Sequence, residues 1–319
     1  MNLENFKGKR ILIIGDVMVD EYKKGIVERI SPEAPVPVVS IKDTFHRIGG
    51  AGNVANNIKA LGGIPILVGI IGYDYYGDFI LELMEEEGLD KTGIIREKGR
   101  KTTVKTRIVA HNQQVVRVDI EDVYEIKDDT ENKILDHVLT FKDRIDGIIF
   151  EDYNKGCLTN NLISKTISEF KGKTITADPK FRNFFSFQNI SLLKPNLREM
   201  EKALGKEMEK KETLLDAGFA LKKKINSPVL VTMGSKGMAL FYAEKYSLFP
   251  SMAREVYDVS GAGDTVIASV TLALSAGFPI EEGVYISNIA AGIEVGKFGV
   301  ATVTLEELKK EYDNKKERH

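Results

Sequence analysis

The chain has 319 residues, 43% of them apolar, which is enough to bury a sizeable core in one large α/β domain or two smaller ones. Its 45 basic and 47 acidic side chains leave a formal net charge of −2, so bulk charge favours neither nucleic acid nor an anionic membrane as a partner, and any anion must be gripped locally. A single cysteine, Cys157, rules out an internal disulfide framework and a cysteine-rich zinc site, as suits a reducing cytosol.

The amino-terminal stretch MNLENFKGKR is polar. The apolar run that follows, Ile11 to Ile14, is too short for a secretion signal or a membrane span, so a soluble cytoplasmic protein is expected. That run belongs to a first strand, Arg10 to Gly15, which ends in Gly15-Asp16-Val17-Met18-Val19-Asp20. Asp16 and Asp20 are thereby offered at the carboxyl edge of a central strand, where carboxylates hold ligand hydroxyls. Asx-type turn residues would account for either one as well. From Tyr22 to Ile48 the pattern alternates with period two and carries Pro32, Pro35 and Pro37, which suits extended edge structure rather than helix. Gly49-Gly50-Ala51-Gly52-Asn53 then turns into a helix, Asn53 to Leu61. Glycines there let a polyhydroxy ligand lie against backbone while the Asn53 amide serves its hydroxyls, although a tight connection alone explains the glycines equally well.

A strand over Ile64 to Ile70 and a helix over Asp78 to Glu87 follow, then a second period-two excursion, Thr102 to Ile120, which reads as a hairpin about a polar His111-Asn112-Gln113 turn. Beyond it strands (Gly147 to Phe150, Thr174 to Ala177, Leu192 to Lys194, Val229 to Met233) alternate with helices (Asn160 to Phe170, Asn196 to Leu204, Thr213 to Ile225). At Lys194-Pro195-Asn196-Leu197-Arg198-Glu199 the spacing is that of a helix capping box. The same carboxylate, Glu199, would also suit a hydrated magnesium ion. Thr232-Met233-Gly234-Ser235-Lys236-Gly237 places a hydroxyl and glycines where they can touch phosphates, or simply forms a turn.

The densest signal is Asp258-Val259-Ser260-Gly261-Ala262-Gly263-Asp264, opening a small-residue helix over Gly263 to Ser275 that is followed by another over Ile280 to Val295. A glycine-rich helix start leaves amides aimed at an anion, and a carboxylate on its first turn can accept a proton from an alcohol. The tail after Leu308, KKEYDNKKERH, reads as a solvated last helix. The alternation as a whole predicts an α/β, doubly wound, mostly parallel sheet with helices on both faces. The two period-two excursions form a small β-sheet lid, so that one domain spans 1–319 with lid segments at about 22–48 and 102–120. A nicotinamide-binding Rossmann fold is disfavoured because Asp16-Val17-Met18, not G-x-G-x-x-G, follows the first strand.

In order and spacing these motifs resemble those of the ribokinase-like (PfkB) carbohydrate kinases, over essentially the whole chain. The resemblance implies ATP and Mg²⁺ as cofactors, Asp264 as catalytic base, and the amides of Gly261, Ala262 and Gly263 as an anion hole. It further implies Asn196 and Glu199 near the metal and phosphates, with Thr232, Gly234, Gly237 and Asn288 along the nucleotide. Asp16, Asp20, Gly49, Gly50 and Asn53 would hold the sugar. A second set of segments, Gly15 to Asp20, Arg29 to Val39, Asn112-Gln113-Gln114, Asp152 to Gly156 and Asp178-Pro179-Lys180, resembles the branch that phosphorylates heptose 7-phosphate for ADP-heptose synthesis. A phosphorylated sugar needs a cationic pocket, for which Lys155 and Arg107 are the first candidates, ahead of Lys180, Lys105 and Arg117. The chain ends soon after the kinase's last helix, which implies a stand-alone kinase served by a separate adenylyltransferase. An apolar β-face with Val36, Val38 and Ile41 implies a homodimer through the lid. Two departures stand out: Lys194 and Ser260 replace the usual threonines. Kinases of the same fold acting on fructose phosphate, ribose or nucleosides, and a non-catalytic sugar sensor, are the alternatives.

Overall fold

The computed structural model describes residues 2–316 except 112, 209, 254, 258 and 298–300. Asp258, the expected start of the glycine-rich box, and Asn112 of the hairpin turn lie outside the described residues.

The first strand, β1 (Arg10–Gly15), carries Ile11 to Ile14 with each side chain 0% exposed. Such a run needs cover on both faces, and it has it: Ile11 and Ile13 join one core while Leu12 and Ile14 join the other. One residue, Asp16, separates β1 from β2 (Val17–Ile30), which leaves the large sheet and pairs antiparallel with β3 (Pro37–Gly50). Next come α1 (Ala51–Ala60), β4 (Ile64–Ile71), α2 (Tyr75–Glu86), β5 (Ile94–Arg96) and the hairpin of β6 (Thr103–Ala110) and β7 (Gln113–Ile120). The chain continues through α3 (Asp128–Leu139), β8 (Gly147–Glu151), α4 (Asn160–Glu169), β9 (Thr174–Asp178), β10 (Leu192–Leu193), α5 (Leu197–Leu204) and α6 (Lys211–Ile225). It closes with β11 (Val229–Thr232), β12 (Met238–Tyr242), β13 (Lys245–Phe249), α7 (Ala262–Ser275), α8 (Ile280–Glu294) and α9 (Leu305–Lys316).

Among the described residues nine strands form the large sheet, in the order β13-β12-β11-β10-β9-β8-β1-β4-β5; its members from β11 to β5 run parallel, and β12 and β13 are antiparallel additions. The core on one face is built against α1, α7 and α8, that on the other against α3, α4 and α6. The second sheet has the order β3-β2-β6-β7, so both period-two excursions do meet in one small sheet. Its strand β2 starts earlier than the alternation suggested, because Val17, Met18 and Val19 are buried and hide the period of two. Three features were not anticipated: the short β5, the β12–β13 hairpin, and α3, whose polar sequence disguises a buried stripe of Ile134, Leu135 and Val138. None of the described helices is long and apolar enough to cross a membrane.

Candidate active site

The helix α7 begins at the carboxyl edge of the large sheet. Gly261 at its N-cap has φ of 97°, a left-handed conformation that glycine alone adopts without strain. The amides of the first turn have no carbonyl one turn earlier to bond, and Gly261, Ala262 and Gly263 line a cavity of about 400 Å³ into which such donors can point. Ala262 N makes only a long contact, 3.5 Å, to the Val259 carbonyl. Around the same cavity stand Lys180, Asn196, Thr232, Gly234, Gly237 and Asn288, so the positions expected along a nucleotide converge, although Glu199 is set back. A larger open groove at the opposite end of the strands, near Ser164, Lys171 and Phe185, gathers none of these motifs.

Asp264, on the first turn of α7, is 6% exposed. Its Oδ2 accepts a hydrogen bond from Asn53 Nδ2 at 2.6 Å and its Oδ1 one from the Tyr153 hydroxyl at 3.1 Å. Burial pushes its pKa up to about 6, opposed by the Asn53 bond and reinforced by Asp178. Asn53 is itself fixed, since its carbonyl accepts from Asn57, whose Oδ1 accepts from the Thr265 hydroxyl, so α1 and α7 lock together behind the carboxylate. One N–H of the Asn53 amide therefore serves the carboxylate, leaving its oxygen and its second N–H for other partners.

Two further carboxylates lie beside Asp264 at the ends of adjacent parallel strands: Glu151 on β8 and Asp178 on β9, with one oxygen of each of the three within 4.8 Å of the others. Glu151 is 0% exposed and neither oxygen has a hydrogen-bond partner; burial, then Asp178 and Asp264, raise its pKa well above the usual carboxylate value. Asp178 Oδ2 pairs with Lys194 Nζ at 2.8 Å while its Oδ1 is buried without a partner. Burial alone would lower the Lys194 pKa, but Asp178 and Glu199 outweigh it and raise it. The lysine that departs from the family threonine is thus a buried cation, 3.4 Å from where a Cβ on Gly263 would lie. Glu199 closes the capping box by accepting from Asn196 N at 2.8 Å, and its other oxygen pairs with Lys180. The capping reading of Asn196 and Glu199 is therefore realised, and the open oxygens suited to a hard cation belong to Asp178 and Glu151.

The positions expected to hold the sugar lie on or beside the small sheet. Gly50 has φ of 61°, and at Gly49 a Cβ would collide with the Asp20 carboxylate, so both glycines are needed for the strand to pass. Asp20 faces Lys105 across the β2–β6 ladder and pairs with Arg107. Asp16 behaves differently from the expectation: it is 1% exposed, and its carboxylate accepts from the amides of Tyr153 (2.8 Å), Lys155 (3.0 Å) and Cys157 (3.1 Å). Three of its lone pairs hold the loop after β8, so Asp16 acts as a buried clasp rather than the open hydroxyl acceptor expected of it, and Asp20 is the more accessible of the two carboxylates. Lys155 pairs with Glu121 at 2.7 Å, Arg117 with Asp119 at 2.9 Å, and Lys180, expected on the substrate, lines the cavity beside α7. Sequence reasoning passed over Tyr153 and Glu151. Glu151 had a readable signal, since it ends an apolar parallel strand next to β1 just as Asp16 does. Tyr153 had none beyond its place in Asp152 to Gly156.

The profile described as "pfkB family carbohydrate kinase" matches residues 9–308. The bifunctional protein HldE of Sulfurimonas denitrificans is 41% identical over 307 residues, covering 95% of this chain and 64% of that protein. The bifunctional HldE of Geobacter sulfurreducens is 41% identical over 301 residues, covering 93% of this chain and 61% of that protein. The chain thus spans less than two thirds of the length of these relatives. Among solved structures, a ribokinase from Arabidopsis thaliana complexed with ribose and ATP superposes with a TM-score of 0.76 at 21% identity, covering 96% of this chain and 98% of that one. Phosphofructokinase-2 from Escherichia coli in complex with substrates and products superposes with a TM-score of 0.80 at 18% identity, covering 96% and 99%. These two likenesses establish the ribokinase-like fold.

Proposed function

The chain belongs to the pfkB family of carbohydrate kinases, and from that premise we propose that it phosphorylates D-glycero-D-manno-heptose 7-phosphate at the C1 hydroxyl, giving heptose 1,7-bisphosphate for ADP-heptose synthesis. It is a phosphotransferase with an alcohol acceptor, and ATP with Mg²⁺ is the donor. The observation that carries the reading is Asp264, a buried carboxylate poised near pH 6 on the turn whose amides line the cavity.

In the proposed reaction Asp264 takes the proton from the C1 hydroxyl as the sugar oxygen bonds to the γ-phosphorus, and the bond from that phosphorus to the β–γ bridging oxygen breaks to release ADP. The first-turn amides of α7 and the Lys194 ammonium face the charge on the transferring oxygens. Asn53 and Tyr153 fix both oxygens of Asp264, so one lone pair is presented in a constant direction. Asp178 and Glu151 offer the oxygen donors that would hold magnesium, which when bound would neutralise the donor's phosphates, whereas Glu199, expected there, has its oxygens on Asn196 N and Lys180.

The heptose is supported by the 41% identity to proteins named HldE and by the segments resembling the heptose branch, above all Gly15 to Asp20 and Asp152 to Gly156. The test is ATP consumption with Mg²⁺ against heptose 7-phosphate, fructose 6-phosphate, ribose and a nucleoside. Heptose 7-phosphate should have the highest kcat/KM, and a faster rate with any of the others overturns the assignment. A homodimer through the small sheet belongs to the same proposal. Val36 and Ile41 are 51% and 41% exposed, and Val116, Val118 and Ile120 are 45%, 49% and 41% exposed, an apolar surface that a second copy would cover.

A further inference from the structure

On and beside the strands β6 and β7, the cations Lys105, Arg107, Arg117 and Lys155 stand near the carboxylates Asp20, Asp119 and Glu121. Arg107 takes Asp20, Arg117 takes Asp119 and Lys155 takes Glu121. Lys105 remains. Among the described residues its ammonium makes no ion pair or hydrogen bond; its contact is the face of Tyr153, 4.5 Å from the ring centroid. On β6 it shares a face with Arg107 and lies between Asp20 on β2 and Asp119 on β7 in the ladder, so it occupies the middle of the small sheet. Tyr153 in turn donates its hydroxyl to Asp264, and Lys180 stands 5.1 Å from the same ring. One aromatic side chain therefore links the carboxylate beside the cavity to the cation on the small sheet.

The geometry points to Lys105 as the residue that binds the acceptor's own phosphate and so decides that a sugar phosphate, rather than a free sugar, is the substrate. This rests on the proposed function and deepens it, replacing Lys155 and Arg107, which already have carboxylate partners, by the cation against Tyr153 for which no described residue supplies an ion pair. A half-buried ammonium surrounded by cations is costly to keep charged: burial first, then Lys155, Arg107 and Arg117, lower its pKa against the pull of Asp20. A dianion placed there relieves that cost, whereas a neutral hydroxymethyl group leaves it in place. Tyr153 beneath offers a cation–π contact that holds the ammonium without consuming its donors.

The experiment is calorimetric titration of heptose 7-phosphate and of unphosphorylated heptose into the wild type, Lys105→Met and Lys105→Arg, with MgATP affinity as the control for folding. The expected result is a loss of about 100-fold in affinity for heptose 7-phosphate in K105M, with affinity for the free heptose and for MgATP unchanged and most of the loss recovered in K105R. Equal losses for the two sugars, or no loss for the phosphorylated one, overturn the inference. Should wild type not bind heptose 7-phosphate, the proposed substrate fails separately, and the inference is then judged on fructose 6-phosphate against fructose and ribose 5-phosphate against ribose. A K105M-sensitive preference for the phosphorylated member upholds it, and the absence of one in both pairs overturns it.

Discussion

At the carboxyl edge of the large sheet Lys194 and Asp178 form a fully buried ion pair beside Glu151 and Asp264, whose ionisation burial opposes. On the small sheet above it the pairs are half-buried or exposed and cations outnumber carboxylates. On the proposed reading the first arrangement serves transfer whichever sugar arrives, and the second is completed by the acceptor's own phosphate. The difference teaches how the proposed division would work, with catalysis at one sheet, choice of acceptor at the other, and Asp16 and Tyr153 between them.

The comparison breaks most visibly at Asp264. Asp264→Asn removes the proton acceptor, and kcat should fall by about 10²–10⁴ while MgATP binding, measured by titration, is retained. The variant should fold at least as well as wild type. The carboxyl's pKa is raised in the folded state from 3.8 to about 6, so the fold loses stability as pH rises through that window, and the amide carries no such penalty. Next is Lys194→Met, which leaves the Asp178 carboxylate buried without its partner. Urea melts should show a loss of about 3–5 kcal/mol, and an unchanged midpoint would show that the edge is not held by matched charge.

Smaller effects sharpen the comparison. In wild type kcat/KM should fall tenfold per pH unit below about 6, where Asp264 takes up its proton. Tyr153→Phe deletes a bond that favours the ionised carboxylate, so this acid limb should move to higher pH and kcat should drop about tenfold. A limb that stays put would mean that Tyr153 does not act through Asp264. The smallest catalytic effect is expected at Val118→Glu, outside both sites: sedimentation should show a shift toward monomer while kcat stays within about twofold of wild type.

The large sheet's contribution was readable because backbone motifs write themselves locally. Four aliphatic residues in succession announce β1, and two glycines before a small-residue helix announce α7. The small sheet's strands were readable for the same reason, but the roles of their side chains were not. Lys105, Arg107 and Lys155 look alike in sequence, and what separates them is whether Asp20 or Glu121 lies within reach, a fact of tertiary register. Asp16 and Asp20 likewise sit four residues apart in one motif, yet three loop amides claim the first and none of them the second. Glu151 escaped notice because a buried carboxyl without partners becomes conspicuous only once its burial is known.

Asp16 is both the single residue between the two sheets and the clasp on the loop that carries Tyr153 and Lys155. Tyr153 is held on the large sheet's side, by its hydroxyl on Asp264 and by the neighbouring Asp152 amide on the Asp178 carbonyl. Tilting the small sheet about Asp16 would therefore leave the ring in place and change its distance to the ammonium on β6. The cation–ring contact is then the gauge by which the two sheets register one another's position.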